Sequence, residues 1–190
     1  MEFILIIIVA VFINNVILAQ FLGVCPFLGV SNKMSTATGM GLAVLFVITL
    51  ATIITFLVQT FVLNPLGLGF LQTIAFILLI ATLVQMIEII LKKVSPPLYQ
   101  SLGIFLPLMS TNCAILGVAI LVIQNNLNLL QATTTAVGTG LGFLLAMVIF
   151  AGLREQMAIT GTPKAMEGAP IAMITTGILA LAFMGFAGLV

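Results

Sequence analysis

Long apolar runs fill this chain, separated only by short clusters of Gly, Pro, Asn and charged residues. A helix needs about 20 apolar residues to cross the roughly 30 Å hydrocarbon core of a bilayer. Six runs meet that length: Phe3 to Leu22, Thr38 to Val62, Phe70 to Leu91, Leu102 to Ile123, Ala132 to Leu153 and Ile171 to Val190. They are continuous and do not alternate, so they predict helices and not the strands of a barrel, the other structure that satisfies every backbone group in lipid. The expected fold is a single all-α integral membrane domain over residues 1–190 with six transmembrane helices. The first run is expected to stay in the mature protein, because Met1 and Glu2 give it no basic leader and its apolar stretch exceeds a signal-peptide core.

Composition agrees with that reading and removes soluble alternatives. Of 190 residues, 63% are hydrophobic and 5% charged, and mean hydropathy is +1.42, whereas soluble domains carry about 25% charged residues. The few charges are informative by position. Lys33, Lys92, Lys93, Arg154 and Lys164 all fall in the connections after the first, third and fifth runs. Basic residues concentrate in cytoplasmic loops, which predicts that these three connections face the cytoplasm and both termini lie outside. Glu88 precedes Lys92 by one helical turn, the favourable order for an ion pair near the membrane surface. Glu2, Glu88, Glu155 and Glu167 all sit near the ends of runs and there is no His. A self-contained proton relay through buried titratable groups is therefore not expected. No nucleic-acid partner is expected either; the bilayer is the surrounding medium.

Two short phrases recur in the same order. Cys25-Pro26-Phe27-Leu28-Gly29-Val30 is echoed by Cys113-Ala114-Ile115-Leu116-Gly117-Val118, and Thr38-Gly39-Met40-Gly41 by Thr139-Gly140-Leu141-Gly142. This predicts two repeats of three spans, about 1–93 and 94–190, and an odd number of crossings per repeat makes them inverted. Inverted repeats commonly place a site where corresponding interrupted helices meet near the midplane. The interrupted spans should be one and four: the first carries Asn14, Asn15, Gln20, Gly23, Cys25 and Pro26, and the fourth carries Gly103, Pro107, Ser110, Thr111, Asn112 and Cys113. Proline removes a backbone donor and disfavours helix in the preceding residue, so irregular backbone is expected at Cys25. Such backbone is tolerated in a membrane only against protein or water.

Three roles are open to the two cysteines. Free Cys commonly behaves as a small buried hydrophobe; a disulfide would require an oxidising compartment; and metal ligation fits their symmetric placement. A [2Fe–2S] cluster takes four thiolates, and this chain has two, so a cluster would have to be shared with another chain. No nucleotide or flavin fingerprint is present.

These segments resemble the RnfA/NqrE family of membrane subunits, found in the Rnf and Na⁺-translocating NADH:quinone oxidoreductase complexes. The likeness runs essentially end to end. Asn14-Asn15, Phe21 to Ser31, Gly103 to Leu108, Thr111 to Val118, Leu153-Arg154-Glu155 and Leu181 to Phe186 carry it. The Asn pair, Cys25-Pro26 and the closing Ala182-Phe183-Met184-Gly185-Phe186 are similar to the RnfA branch. The resemblance implies a homologous partner of opposite orientation, of the RnfE type, with one [2Fe–2S] cluster held between the two and Cys25 and Cys113 as half its ligands. Asn14, Asn15, Gly23, Pro26, Gly29, Thr111, Asn112 and Gly117 would support that site. It further implies a redox-driven translocase in which ferredoxin and NAD⁺ exchange electrons, coupled to Na⁺ or H⁺ movement. Flavin and NAD would be bound only by other Rnf subunits.

Two other classes fit the same residues. One is a small secondary transporter with a substrate site at the repeat interface. The other is a structural scaffold whose Gly39, Gly41, Gly138, Gly140 and Gly142 allow close helix packing. Soluble catalysis does not fit, since no nucleophile, base and orienting group occur together.

Overall fold

The structure, a computed structural model, describes residues 2–67, 69–94, 106–161 and 167–186. Gly103 and Lys164 lie outside the described residues. Every regular element among those described is helical. The first helix, α1 (Glu2–Ile8), widens into a π-helical turn, Val9–Ile13. Then come α2 (Val24–Val30) and α3 (Met34–Val58), the latter extended by a π-helical turn, Gln59–Leu63, and by Asn64–Leu66. Next are α4 (Gln72–Val94), α5 (Leu106–Ser110), α6 (Cys113–Gln124), α7 (Leu129–Thr160) and α8 (Ala169–Met184).

Among the described residues four helical stretches are long and apolar enough to cross a membrane: Met34–Leu63, Gly69–Val94, Pro107–Gln124 and Leu129–Thr160. Phe3–Ile13 and Ala169–Met184 are apolar but shorter. Each of the six expected runs contains apolar helix among the described residues, four of them long enough to span; the first and the fourth are interrupted, the fourth at Thr111 and Asn112. In the first, the helix stops at Ile13, and the chain turns irregularly before resuming at Val24.

The centre of the bundle is the crossing of α3 and α7. Met34 meets Glu155, Gly41 faces Leu144, and Leu45 faces Gly140. One index falls as the other rises, so the two helices are antiparallel. The contact is reciprocal, because each glycine receives a leucine that lies one turn beyond the other helix's glycine. A Cβ on Gly140 would stand 3.0 Å from Leu45 Cα, and one on Gly41 would stand 3.3 Å from Leu144 Cα. Close backbone approach through small residues is the usual substitute in lipid for a hydrophobic drive between helices. In this contact the counterpart of Gly140 is Gly41 and not Gly39, where an added methyl would meet no atom within 4 Å. The expected glycine face therefore consists of Gly41, Gly138, Gly140 and Gly142 without Gly39.

α6 packs into the same core through Ala114, Ile115, Val118, Ala119 and Val122, while α1 and the turn after it lie on α7 with Ile7 and Ala10 against Gly138. Outward positions are equally apolar: Phe46, Phe61, Leu78, Ile89 and Leu181 are all exposed. With lipid as solvent, an apolar exterior is what the bilayer requires.

Candidate functional site

Both cysteines stand in the first turn of a half-helix. Cys25 is the second residue of α2, whose N-cap is Gly23, and Cys113 is the first residue of α6, whose N-cap is Asn112. The expectation of irregular backbone at Cys25 is corrected here. Pro26 sits in the first turn of α2, where a missing N–H breaks no helical bond, and the irregular stretch lies upstream, from Asn14 to Gly23.

Backbone bonds from Ala19 N–H to the Asn15 carbonyl (2.9 Å), Phe21 N–H to the Ile17 carbonyl (3.1 Å) and Leu22 N–H to the Val16 carbonyl (2.9 Å) close the turns of that stretch, and the Asn15 side chain anchors it. Asn15 is fully buried; its Nδ2 donates to the carbonyl oxygens of Val11 at 3.0 Å and Gly142 at 2.9 Å. Its Oδ1 accepts from the backbone N–H of Ile17 at 3.1 Å and, more weakly, Leu18 at 3.4 Å. The side chain thus replaces bonds the interrupted helix cannot make and ties the break to the middle of α7. The loop residues Val16, Ile17 and Leu18 are buried, which shields their polar backbone from lipid, while Ala19, Gln20 and Phe21 are exposed. Phe21 and Gly23 both adopt left-handed backbone, with φ of 55° and 82°, and this turns the chain back into α2.

The two breaks meet at Gly23. Its backbone N–H donates to Cys113 Sγ at 2.9 Å. A Cβ there would lie 2.9 Å from Phe143 Cε2, 3.1 Å from Ala114 Cβ and 3.3 Å from Asn112 Oδ1, so only glycine fits. Gly117 is a second close approach, with Leu22 Cδ1 at 2.6 Å from its would-be Cβ. Gly29, by contrast, is exposed and meets only Leu108 at 3.8 Å. Asn112 caps α6, its Oδ1 accepting from Ala114 N–H at 3.0 Å. Thr111 and Ser110 both donate to the Pro107 carbonyl, at 3.2 and 2.8 Å. Thr111, Asn112 and Cys113 line one cavity of about 340 Å³ with Ser110, Leu116 and the α4 residues Ile77, Ile80 and Ala81. Asn14 does not join them: it is exposed and lines a separate cavity of about 310 Å³ with Gln20, Asn125, Thr135 and Thr139.

The sequence marks Arg154 as a cytoplasmic-side charge and, with Glu155, as part of the family resemblance, but it does not reveal their contacts: Arg154 secures the other end of α2 and Glu155 the start of α3. Arg154 Nη1 donates to the Leu28 carbonyl at 2.8 Å and to Ser31 Oγ at 3.0 Å, a cation placed on the C-terminal carbonyls of a helix. Glu155 Oε1 accepts from the backbone N–H of Met34 at 2.8 Å, opening α3. Beneath them Phe27 stacks on Phe150 with ring centroids 4.3 Å apart. The Cys25 half-helix is therefore fixed at both ends.

In this chain both cysteines are free and exposed, neither packed as a buried filler nor bonded to the other. Among the described residues no group of three or more Cys, His, Asp or Glu could hold a metal. Two outward-facing thiols at one junction are half the donor set of a four-thiolate [2Fe–2S] centre. The residues present fit such a group provided another chain completes it.

Long apolar helices with apolar exteriors define an integral membrane protein, helical throughout its described regular elements and with two free, exposed cysteines at two helix breaks. The family model described as "Rnf-Nqr subunit, membrane protein" matches residues 3–190, and the chain belongs to that family. It is 57% identical over 189 residues to the A subunit of the Na(+)-translocating ferredoxin:NAD(+) oxidoreductase complex of Acetobacterium woodii, covering 100% of this chain and 98% of that one. The A subunit of the ion-translocating oxidoreductase complex of Syntrophotalea carbinolica is 60% identical over 186 residues, covering 98% and 96%. The protein of the same description from Vibrio cholerae is 51% identical over 189 residues, covering 100% and 98%.

Proposed function

We propose that this chain is the RnfA-type component of an Rnf-type ferredoxin:NAD⁺ oxidoreductase that drives Na⁺ or H⁺ across a bacterial or archaeal cytoplasmic membrane. In this reading Cys25 and Cys113 supply two of the four ligands of a [2Fe–2S] cluster, and a homologous RnfE-type partner of opposite orientation supplies the others. The observation that carries it is two free, exposed cysteines at two helix breaks that touch, Cys113 Sγ accepting from the N–H of Gly23, two residues before Cys25. The near-complete alignment with the A subunits of such complexes supports the same assignment.

When bound, the cluster takes up and releases single electrons. The chain's own residues do the positioning. Asn15 fixes the break that turns Cys25 outward, Gly23 aims its N–H at Cys113 Sγ, and Arg154 holds the far end of the Cys25 half-helix. The apolar exterior keeps water from the junction. Flavin and NAD chemistry belongs to other subunits, since this chain has no fingerprint for either. The reciprocal, antiparallel crossing of α3 and α7 supports two inverted repeats, and the one-sided basic residues support termini on the outer side.

The test is the purified complex carrying Cys25→Ser or Cys113→Ser. Oxygen is a poorer iron ligand than thiolate, so either variant should lose one [2Fe–2S] signal and its iron while the flavins of the other subunits persist. A variant complex that keeps both the signal and the iron overturns the assignment. Reporters fused after Val190 and inserted beside Lys93 should read external and cytoplasmic, respectively.

A further inference from the structure

One polar group at the junction is left without a partner. Asn112 is only 4% exposed. Its Oδ1 is committed to the Ala114 N–H, which fixes the amide's orientation, because a backbone N–H can face only the oxygen. The Nδ2 on the other side is buried and has no hydrogen-bond partner. A buried amide NH2 left unpaired is destabilising by the desolvation of both its hydrogens, and native structures rarely keep one without an acceptor that arrives from elsewhere. In a membrane interior water is a poor candidate for that acceptor. The side chain borders the cavity that also contains Cys113, the exposed ligand candidate next to it in the chain.

The geometry points to an acceptor held at Cys113. We infer that Asn112 Nδ2 donates a hydrogen bond to sulfur at the shared cluster, either an inorganic sulfide or a thiolate, and so sets its reduction potential. The inference rests on the cluster reading above. Asn112 is then a positioning residue with two jobs on opposite faces of one amide: its oxygen caps the helix that presents Cys113, and its nitrogen answers the charge that collects on the sulfur. Gly23 offers a further donor, to Cys113 Sγ, from the other break. Hydrogen bonds to cluster sulfurs stabilise the more negative, reduced state and raise the potential. A donor otherwise unpaired in an apolar setting acts strongly, because no solvent competes with it.

Two variants separate the jobs. Ser is as good an N-cap as Asn, so Asn112→Ser keeps an acceptor for Ala114 N–H and deletes the NH2. Asn112→Asp also keeps the cap and puts a negative oxygen where the donor was. In the purified complex, redox titration followed by electron paramagnetic resonance should show the cluster retained in both, with its midpoint shifted to lower potential in Asn112→Ser and further in Asn112→Asp. In wild-type complex labelled with ¹⁵N in asparagine side chains, pulsed resonance of the reduced cluster should show a nitrogen coupling that is absent from Asn112→Ser. An unchanged midpoint in the serine variant overturns the inference, as does a labelled wild type without nitrogen coupling, which needs no variant to fold. Cys113→Ser tests the parent reading independently: a cluster that survives that change refutes the cluster assignment, whereas a cluster that is lost there but unmoved by Asn112→Ser refutes only the role of Asn112.

Discussion

Replacing Gly23 by Ala adds one methyl group at the point where the two helix breaks touch, and the structure sets its cost. The residue has φ of 82°, a left-handed conformation that costs an L-residue with a Cβ about 1–2 kcal/mol. The new methyl would also lie 2.9 Å from Phe143 and 3.1 Å from Ala114. Both neighbours are fully buried, so neither has free space to retreat into, and overpacking of this kind typically costs about 1–3 kcal/mol. The two effects act on the same atom and together amount to about 2–5 kcal/mol. For a chain of this size each kcal/mol shifts a melting temperature by roughly 2–4 °C. Gly39→Ala is the control, since its added methyl meets no atom within 4 Å and it lies inside α3, where Ala is favoured over Gly by up to about 1 kcal/mol. Thermal unfolding of the purified complex in detergent should show Gly23→Ala destabilised by several degrees and Gly39→Ala unchanged or slightly improved. Equal melting of Gly23→Ala and wild type, or an equal loss in both variants, would refute the account of the junction.

Two further changes probe what holds the cysteine-bearing segments. Arg154→Ala removes the donor to the Leu28 carbonyl and Ser31 Oγ and should cost about 1.5–3 kcal/mol, the range for hydrogen bonds to charged groups; Arg154→Lys should recover only part of this in a denaturation series. Asn15→Leu leaves the buried N–H groups of Ile17 and Leu18 without their acceptor, at about 1–3 kcal/mol for each unsatisfied group. Hydrogen exchange between Val16 and Leu22 should rise in that variant, and unaltered protection would show that packing alone holds the break.

How far the fold is legible in the sequence follows from what hydropathy measures. Transfer to lipid is a property of composition, so α3, α4, α6 and α7 are marked by their apolar runs. Helix ends are set by hydrogen bonds instead, and α7 therefore continues past Leu153 through Arg154 and Glu155 to Thr160, two charges whose partners lie at the end of α2 and the start of α3. The interruption of the first span is legible in type and misplaced in position. Pro26 draws it to Cys25, yet a proline in a first turn terminates nothing, and the side chain that makes the break possible is Asn15, reaching the carbonyl of Gly142 on a distant helix. What no pattern can supply is which face looks outward. In water, apolar residues mark the inside; in lipid they mark both sides, and on α4 Leu78 is 64% exposed while Ile80 is 3%, with no chemical difference to tell them apart. The cysteines inherit the same ambiguity. A thiol in an apolar run reads as filler until tertiary structure places it on the surface, and Cys25 and Cys113 are both exposed there, which is what the proposed shared cluster would require of them.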